Sequence, residues 1–191
     1  MITINDPTLF VAATLCIGKE RTRPYLHGVY VQPAIGGGIF MTATDAHILF
    51  HGYDPQGTAE RAAIVVPDKG KLPAAWAKGG AITIDFEQGI MRRKTGTLTA
   101  GCREESGSFP PYPNIIPREF SGKVAQFNPA LVARFGDIAQ ILTKGSFPGV
   151  HHNGDAPALV TFDRRDCFGV IMPISASAVP DLSMPTLPFA A

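Results

Sequence analysis

The strongest constraint on this chain is the spacing of its turn formers. Gly (20 residues) and Pro (17) make up about a fifth of the 191 residues, well above ordinary usage. They cut an apolar-rich sequence into short runs. These runs carry β-branched and aromatic residues and read as strands joined by tight turns. Predicted strands cover residues 26–33 (LHGVYVQP), 39–44 (IFMTAT), 46–50, 62–66 (AAIVV), 81–86 (AITIDF), 89–93, 97–102, 158–162 (ALVTF) and 167–174 (CFGVIMPI). Gly36-Gly37-Gly38 and the Gly89 and Gly96 turns supply positions where positive φ carries no Cβ penalty.

Helical signals are fewer. Asp6-Pro7 opens residues 8–17, and Asn128-Pro129 opens residues 130–142. Both pair a capping side chain with a proline at the first helical position. Leu131, Phe135, Ile138 and Leu142 lie on one stripe at helical spacing. Residues 72–78 form a shorter candidate. The order is that of a β-α-β-β-β unit used three times, over 1–58, 59–117 and 118–179. The expected class is α+β, with antiparallel sheets and helices on one face. Residues 1–117 hold the first two units and 118–179 the third, followed by the Pro- and Ser-rich 180–191, which reads as a flexible tail.

Composition excludes several classes. At 45% hydrophobic the chain is too apolar for disorder. No run of about 18 apolar residues exists for a membrane span, and the start MITINDPTLF shows no signal peptide. Cys16, Cys102 and Cys167 are odd in number and widely spaced, which fits a reducing cytoplasm better than a disulfide framework. A net charge of +1 with 17% charged residues speaks against bulk electrostatic binding of nucleic acid.

Candidate chemistry is sparse. Asp45 and His47 could form an acid/base pair, but no nucleophile signature accompanies them, and a turn aspartate more often bonds its own backbone. His151 and His152 are adjacent, so they point apart on a strand, and no third ligand is spaced near them. No metal or cofactor is expected, and no catalysis. The triple glycine is followed by neither Lys-Ser/Thr nor a helix, so it is a hairpin and not a phosphate loop.

Five stretches carry a resemblance. They are Arg23-Pro24-Tyr25-Leu26-His27-Gly28-Val29, Thr42 to Leu49 (TATDAHIL), Ile64 to Gly70 (IVVPDKG), Phe109 to Pro117 (FPPYPNIIP) and Val170 to Ile174 (VIMPI). In order and spacing they resemble the bacterial DNA polymerase III beta subunit, the sliding clamp, over roughly residues 8–175. The match is to its middle domain followed by a shortened last domain. The resemblance implies a DNA-clamp fold and an apolar pocket for polymerase or repair-protein peptides at Arg23, Leu26, Thr44, Ala46, His47, Leu49, Pro110, Ile115, Val170 and Met172. It also implies loose, sequence-independent contact with double-stranded DNA by cations on or near the helices: Lys19, Arg21, Lys69, Lys71, Lys78, Arg134 and Lys144. Arg92-Arg93-Lys94 is the densest basic cluster, at a hairpin turn. Homo-oligomerisation follows from the odd number of units. Departures matter too. Ala46 stands where the family has Gly, so a positive φ there would be strained, and Ile48 replaces a basic residue. The alternative reading is a clamp-derived interaction module that binds peptides or a clamp without encircling DNA. Leu182, Met184, Leu187 and Phe189 suggest that the tail itself could dock in the pocket.

Overall fold

The computed structural model describes residues 1–145 and 147–178. The tail reading for 180–191 lies outside the described residues. Among the described residues, twelve strands form one antiparallel sheet in the order β10-β11-β12-β4-β3-β2-β6-β9-β8-β7-β1-β5. The first unit is β1 (Ile2–Ile4), α1 (Pro7–Thr14), β2 (Val29–Pro33), β3 (Ile39–Thr44) and β4 (Ile48–Asp54), with the short β5 (Thr58–Ala59) after it. The second is β6 (Ala63–Pro67), a 3-10 turn at Ala74–Ala77, β7 (Ile82–Asp85), β8 (Ile90–Arg93) and β9 (Thr99–Glu105). The third is α2 (Pro129–Thr143), β10 (Gly149–His151), β11 (Ala158–Phe162) and β12 (Arg164–Ile171). The α+β clamp-type repeat is therefore present, with its helices on one face.

The helices begin where the capping pairs place them. The Asp6 side chain accepts from the Thr8 N–H, and the Asn128 side chain from the Ala130 N–H. The first helix ends at Thr14, short of residue 17. The Thr14 hydroxyl donates to the Val11 carbonyl and accepts from the Leu72 N–H, so the loop after β6 closes over the helix end. The expected helix at 72–78 is one 3-10 turn. Pro73 precedes it, and Gly79 and Gly80 follow with positive φ, leaving room for a single turn. The first predicted strand starts three residues late because Pro24–Leu26 is itself a 3-10 turn. The last strand ends at Ile171, just before Pro173, which has no N–H for a ladder. Strands β1, β5 and β10 are two or three residues long, below the length at which alternation is legible.

One apolar core runs beneath the whole sheet. It joins Leu9, Phe10 and Val11 of α1 to Phe135, Ile138 and Leu142 of α2. The first helix is laid on β2, β3 and β4, and the second on β11 and β12. The third unit seats closely there. A methyl added at Gly169 on β12 would overlap the Phe135 ring, so glycine is what lets α2 approach the sheet.

Asp54 anchors the opposite corner. It is 1% exposed. One carboxylate oxygen accepts the N–H groups of Asn5 (2.6 Å) and Asp6 (2.9 Å), and the other those of Gln56 and Gly57 (both 3.1 Å). It therefore ties the start of α1 to the end of β4. Replacing Asp54 by Ala removes the acceptor for four N–H groups at once. The expected loss is more than about 3 kcal/mol, read as a fall in the urea midpoint, with Gln56→Ala nearly neutral as the control.

Candidate functional site

The turn after β3 organises the site. Asp45 uses one carboxylate oxygen to accept the N–H groups of His47 and Ile48, both at 2.9 Å. Its other oxygen is paired with the Arg134 guanidinium of α2. The Thr44 hydroxyl donates to the Ile48 carbonyl and accepts from the Ala46 N–H. Ala46 has φ 76°, the strained conformation expected where the resembling motif carries glycine. Every oxygen of Asp45 is thus engaged in holding the turn and α2. It is not an acid/base partner of His47, which lies exposed beside it.

Strand register brings part of the candidate pocket into a row. Thr44 on β3 pairs with Leu49 on β4, Leu49 with Val170 on β12, and Val170 with Leu159 on β11. Directly paired residues have Cβ atoms about 5 Å apart. Ile48, Phe50 and Ile171 face the helices, so this row lies on the opposite, outer face. Leu49 and Val170 are each 1% exposed and form a dry floor. The rim is open. The Met172 N–H donates to the His47 carbonyl at 2.8 Å, and Met172 is 36% exposed. It borders a shallow hollow of about 330 Å³ with Pro173 and Ile174. Leu26 is buried against the same turn, since Gly18, whose N–H donates to the Leu26 carbonyl, faces both Leu26 and Asp45.

The remaining pocket candidates stand apart from the row. Arg23 is exposed and paired with Glu20 at 3.5 Å. Pro110 and Ile115 belong to the segment that crosses the outer face. That segment is pinned by Phe109 stacked on Tyr30 (4.9 Å between centroids) and by Tyr112 against His51 (5.3 Å). Ile115 ends the 3-10 turn begun by Tyr112 and is 39% exposed. Leu159, Tyr112 and His51 were missed in the sequence. Alternation in ALVTF marks Leu159 as belonging to one face, but only the hairpin register shows which residue it sits beside.

The candidate cations gather in two clefts on the helical side. Lys19, Lys69, Lys71 and Arg134 line a cleft of about 600 Å³, together with Arg103, which the sequence reading omitted. Lys78 and Lys144 line a second of about 510 Å³, between the 3-10 turn and the end of α2. Three of these charges have partners: Arg134 is tied to Asp45, Lys71 lies 3.8 Å from Asp137, and Arg103 lies 3.4 Å from Glu105. Arg21 is exposed outside both clefts. In the basic cluster at 92–94, Arg93 is structural. It donates to the carbonyls of Ala75, Lys78 and Thr95, and so fastens the hairpin to the 3-10 turn.

Other chemistry has little to work with. His151 bonds the Thr161 hydroxyl, and His152 accepts the Ala125 N–H. Among the described residues no group of three or more His, Cys, Asp or Glu is placed to hold a metal. All three thiols are buried. Burial pushes Cys102 up to about 11 and Cys167 to about 12, and raises Cys16 as well. None is a thiolate nucleophile at neutral pH. No helix is long and apolar enough to cross a membrane among the described residues.

His51 adds a pH dependence. Burial among Phe40, Phe168 and Tyr112 disfavours its cation and lowers its pKa from 6.5 to about 4. The unfolded chain binds that proton first, so stability falls as pH drops from about 6.5 towards 4. At pH 4.5 His51→Gln, which cannot titrate but can still bond Thr42, is expected to lose about 2–3 kcal/mol less than the parent relative to pH 7. Paired urea titrations at the two pH values measure the difference.

Comparison with known proteins agrees with this architecture. No family model matches the chain. The beta sliding clamps of two Caulobacter vibrioides strains, NA1000 / CB15N and ATCC 19089 / CIP 103742 / CB 15, are each 28% identical over 145 residues, covering 72% of this chain. The chain spans only 37% of the length of these curated relatives. The Bartonella birtlesii sliding clamp, solved bound to griselimycin, superposes with a TM-score of 0.64 at 18% identity, over 87% of this chain and 63% of that one. A Pseudomonas aeruginosa sliding clamp gives 0.59 at 19% identity (90% and 65%), and the Streptococcus pyogenes beta subunit 0.63 at 10% identity (90% and 65%). The chain has the sliding-clamp fold and resembles the DNA polymerase III beta subunit in sequence.

Proposed function

We propose that this protein is a sliding-clamp-like factor of DNA replication or repair that tethers short peptides on its outer face and holds double-stranded DNA loosely on its helical face. Residues 1–117 act as a two-unit body and 118–179 as an added half domain. The protein works in the cytoplasm as a homo-oligomer, without catalysis, metal or cofactor. One observation carries the reading: Thr44, Leu49 and Val170 stand side by side on three paired strands, with His47 and Met172 at the rim. A dry apolar floor with a few polar groups at its edge suits one or two apolar anchors of an extended peptide from a polymerase or repair protein. Methionine at the rim adapts to differing side chains. Leu26 and Ala46, at the same turn, and the more distant Arg23, Pro110 and Ile115 complete the proposed contacts.

The helical face supports the DNA part. Phosphate contact needs a local field and not a basic total, and six of the seven candidate cations line the two clefts. Arg21 is the outlying candidate. Lys19 and Lys69 are exposed and have no ion pair among the described residues. A second reading has its own observation. The Arg134–Asp45 and Lys71–Asp137 pairs weaken the field of the larger cleft, which favours an interaction module that binds peptides or a clamp but does not encircle DNA.

Three measurements test these readings. Met172→Glu is expected to weaken a fluorescent clamp-binding peptide by about tenfold, some 1.4 kcal/mol; unchanged affinity would remove the pocket. Retention on circular but not linear DNA supports the clamp, and peptide binding without retention supports the module. In the clamp case the double variant Lys19→Ala/Lys69→Ala should reduce the slope of log affinity against log salt by about 2.

A further inference from the structure

The chain leaves its last strand beside the outer-face row. After β12, Met172, Pro173, Ile174 and Ser175 line the shallow hollow of about 330 Å³. Two backbone bonds fix this stretch. The Met172 N–H donates to the His47 carbonyl and the Ile174 N–H to the Gln126 carbonyl, both at 2.8 Å. Ala176–Ala178 is then a 3-10 turn, and the Ala178 N–H donates to the Ser175 carbonyl at 2.9 Å. Such a turn keeps its ends within about 7 Å of each other. Ala178 is therefore held close to the hollow, and residues 179–191 continue from there. Fully extended, that segment reaches about 40 Å. Three neighbouring strands, about 4.8 Å apart, are much narrower than this.

The segment VPDLSMPTLPFAA carries one charged side chain, Asp181, against the apolar Leu182, Met184, Leu187 and Phe189. A solvated end is ordinarily richer in charge. The four apolar residues fall into two i, i+2 pairs. In an extended chain such a pair points to one side, with about 6.6 Å between its members. The directly paired Val170 and Leu49 of the floor are about 5 Å apart, a comparable step. Pro180, Pro185 and Pro188 bias the segment towards extended backbone, which lowers the ordering cost of binding. Anchor spacing, reach and point of departure all suit the row that Thr44, Leu49 and Val170 form.

We infer that residues 181–189 dock on this chain's own outer-face row, with Leu182 and Met184 as paired anchors, and so occupy the peptide site until another protein's peptide displaces them. The inference rests on the peptide reading of that row and adds its regulation. The tether decides the occupant. A short linker gives the segment an effective concentration of about 1 mM at its own site, above that of a second copy in dilute solution. Docking with a dissociation constant of about 0.1 mM leaves about a tenth of the sites open, which weakens an incoming peptide about tenfold. Weak ligands are thereby kept out while tight ones still enter.

The test compares the full chain with its Leu182→Asp/Met184→Asp variant, which leaves every described strand and core residue intact. A fluorescent clamp-binding peptide is expected to bind the variant about tenfold more tightly than the parent. Equal affinities overturn the inference and leave the pocket standing. A gain that appears only in concentrated protein assigns the segment to a second copy and also overturns it. A labelled synthetic peptide of residues 179–191 should bind the variant and lose that binding when Met172→Glu is added. Its failure to bind at about 1 mM, the concentration the tether supplies, overturns the inference whatever the other peptide does. If the clamp-binding peptide binds neither protein but the 179–191 peptide binds the variant through Met172, the tethering reading falls and the docking stands.

Discussion

The pairing of β12 with β4 is the interaction on which the rest of this molecule depends. Five register pairs, from Cys167 with Gly52 to Ile171 with Ile48, join the third unit to the first. They make one sheet out of segments more than a hundred residues apart. The same contact brings Gly169 beneath Phe135, so α2 settles beside α1 over a shared core. Arg164, at the start of β12, reinforces the junction by bonding Asp6, Thr8 and Asp166. Hydrogen bonds to Asp166 and Asp6 hold its guanidinium firmly charged.

Both candidate surfaces follow from that junction. On the outer face it sets Val170 beside Leu49, and Leu49 already lies beside Thr44, so a continuous apolar floor appears where no single unit has one. On the helical face it carries Arg134 across to Asp45, and this places a cation from the third unit in the same cleft as Lys19, Lys69 and Lys71 from the first two. The Asp45 turn is the hinge between the faces. One of its carboxylate oxygens shapes the turn on the outer face, and the other receives the helix.

Much of this was legible in the residues, and the boundaries of legibility are physical. Asp6-Pro7 and Asn128-Pro129 announce their helices because capping and the fixed φ of proline act within a few residues. Strands such as ALVTF and IFMTAT announce themselves by composition and bounding turns. Local propensity over residues 72–78 predicts a longer helix than the single 3-10 turn at Ala74–Ala77, because Pro73 and Gly79-Gly80 limit its length while propensity does not. Strands β1, β5 and β10 are too short to show a period at all; they exist because a neighbour accepts their hydrogen bonds. Arg93 stands in the densest basic cluster of the chain, yet its guanidinium is consumed by three backbone carbonyls whose positions depend on the fold.

The sequence by itself determined the repeat, the α+β class, the capped helices, the positive-φ turn at Ala46 and the resemblance to sliding clamps. Each of these is a local property of spacing, of turn chemistry or of ordered motifs. Only the tertiary structure decided that Leu159 joins the row with Leu49 and Val170, that His51 is buried and held neutral, and that the cations divide between two clefts. Those facts arise from strand register and from which edges find partners. Because a strand has a period of two residues, a shift of one would turn every one of these side chains to the opposite face.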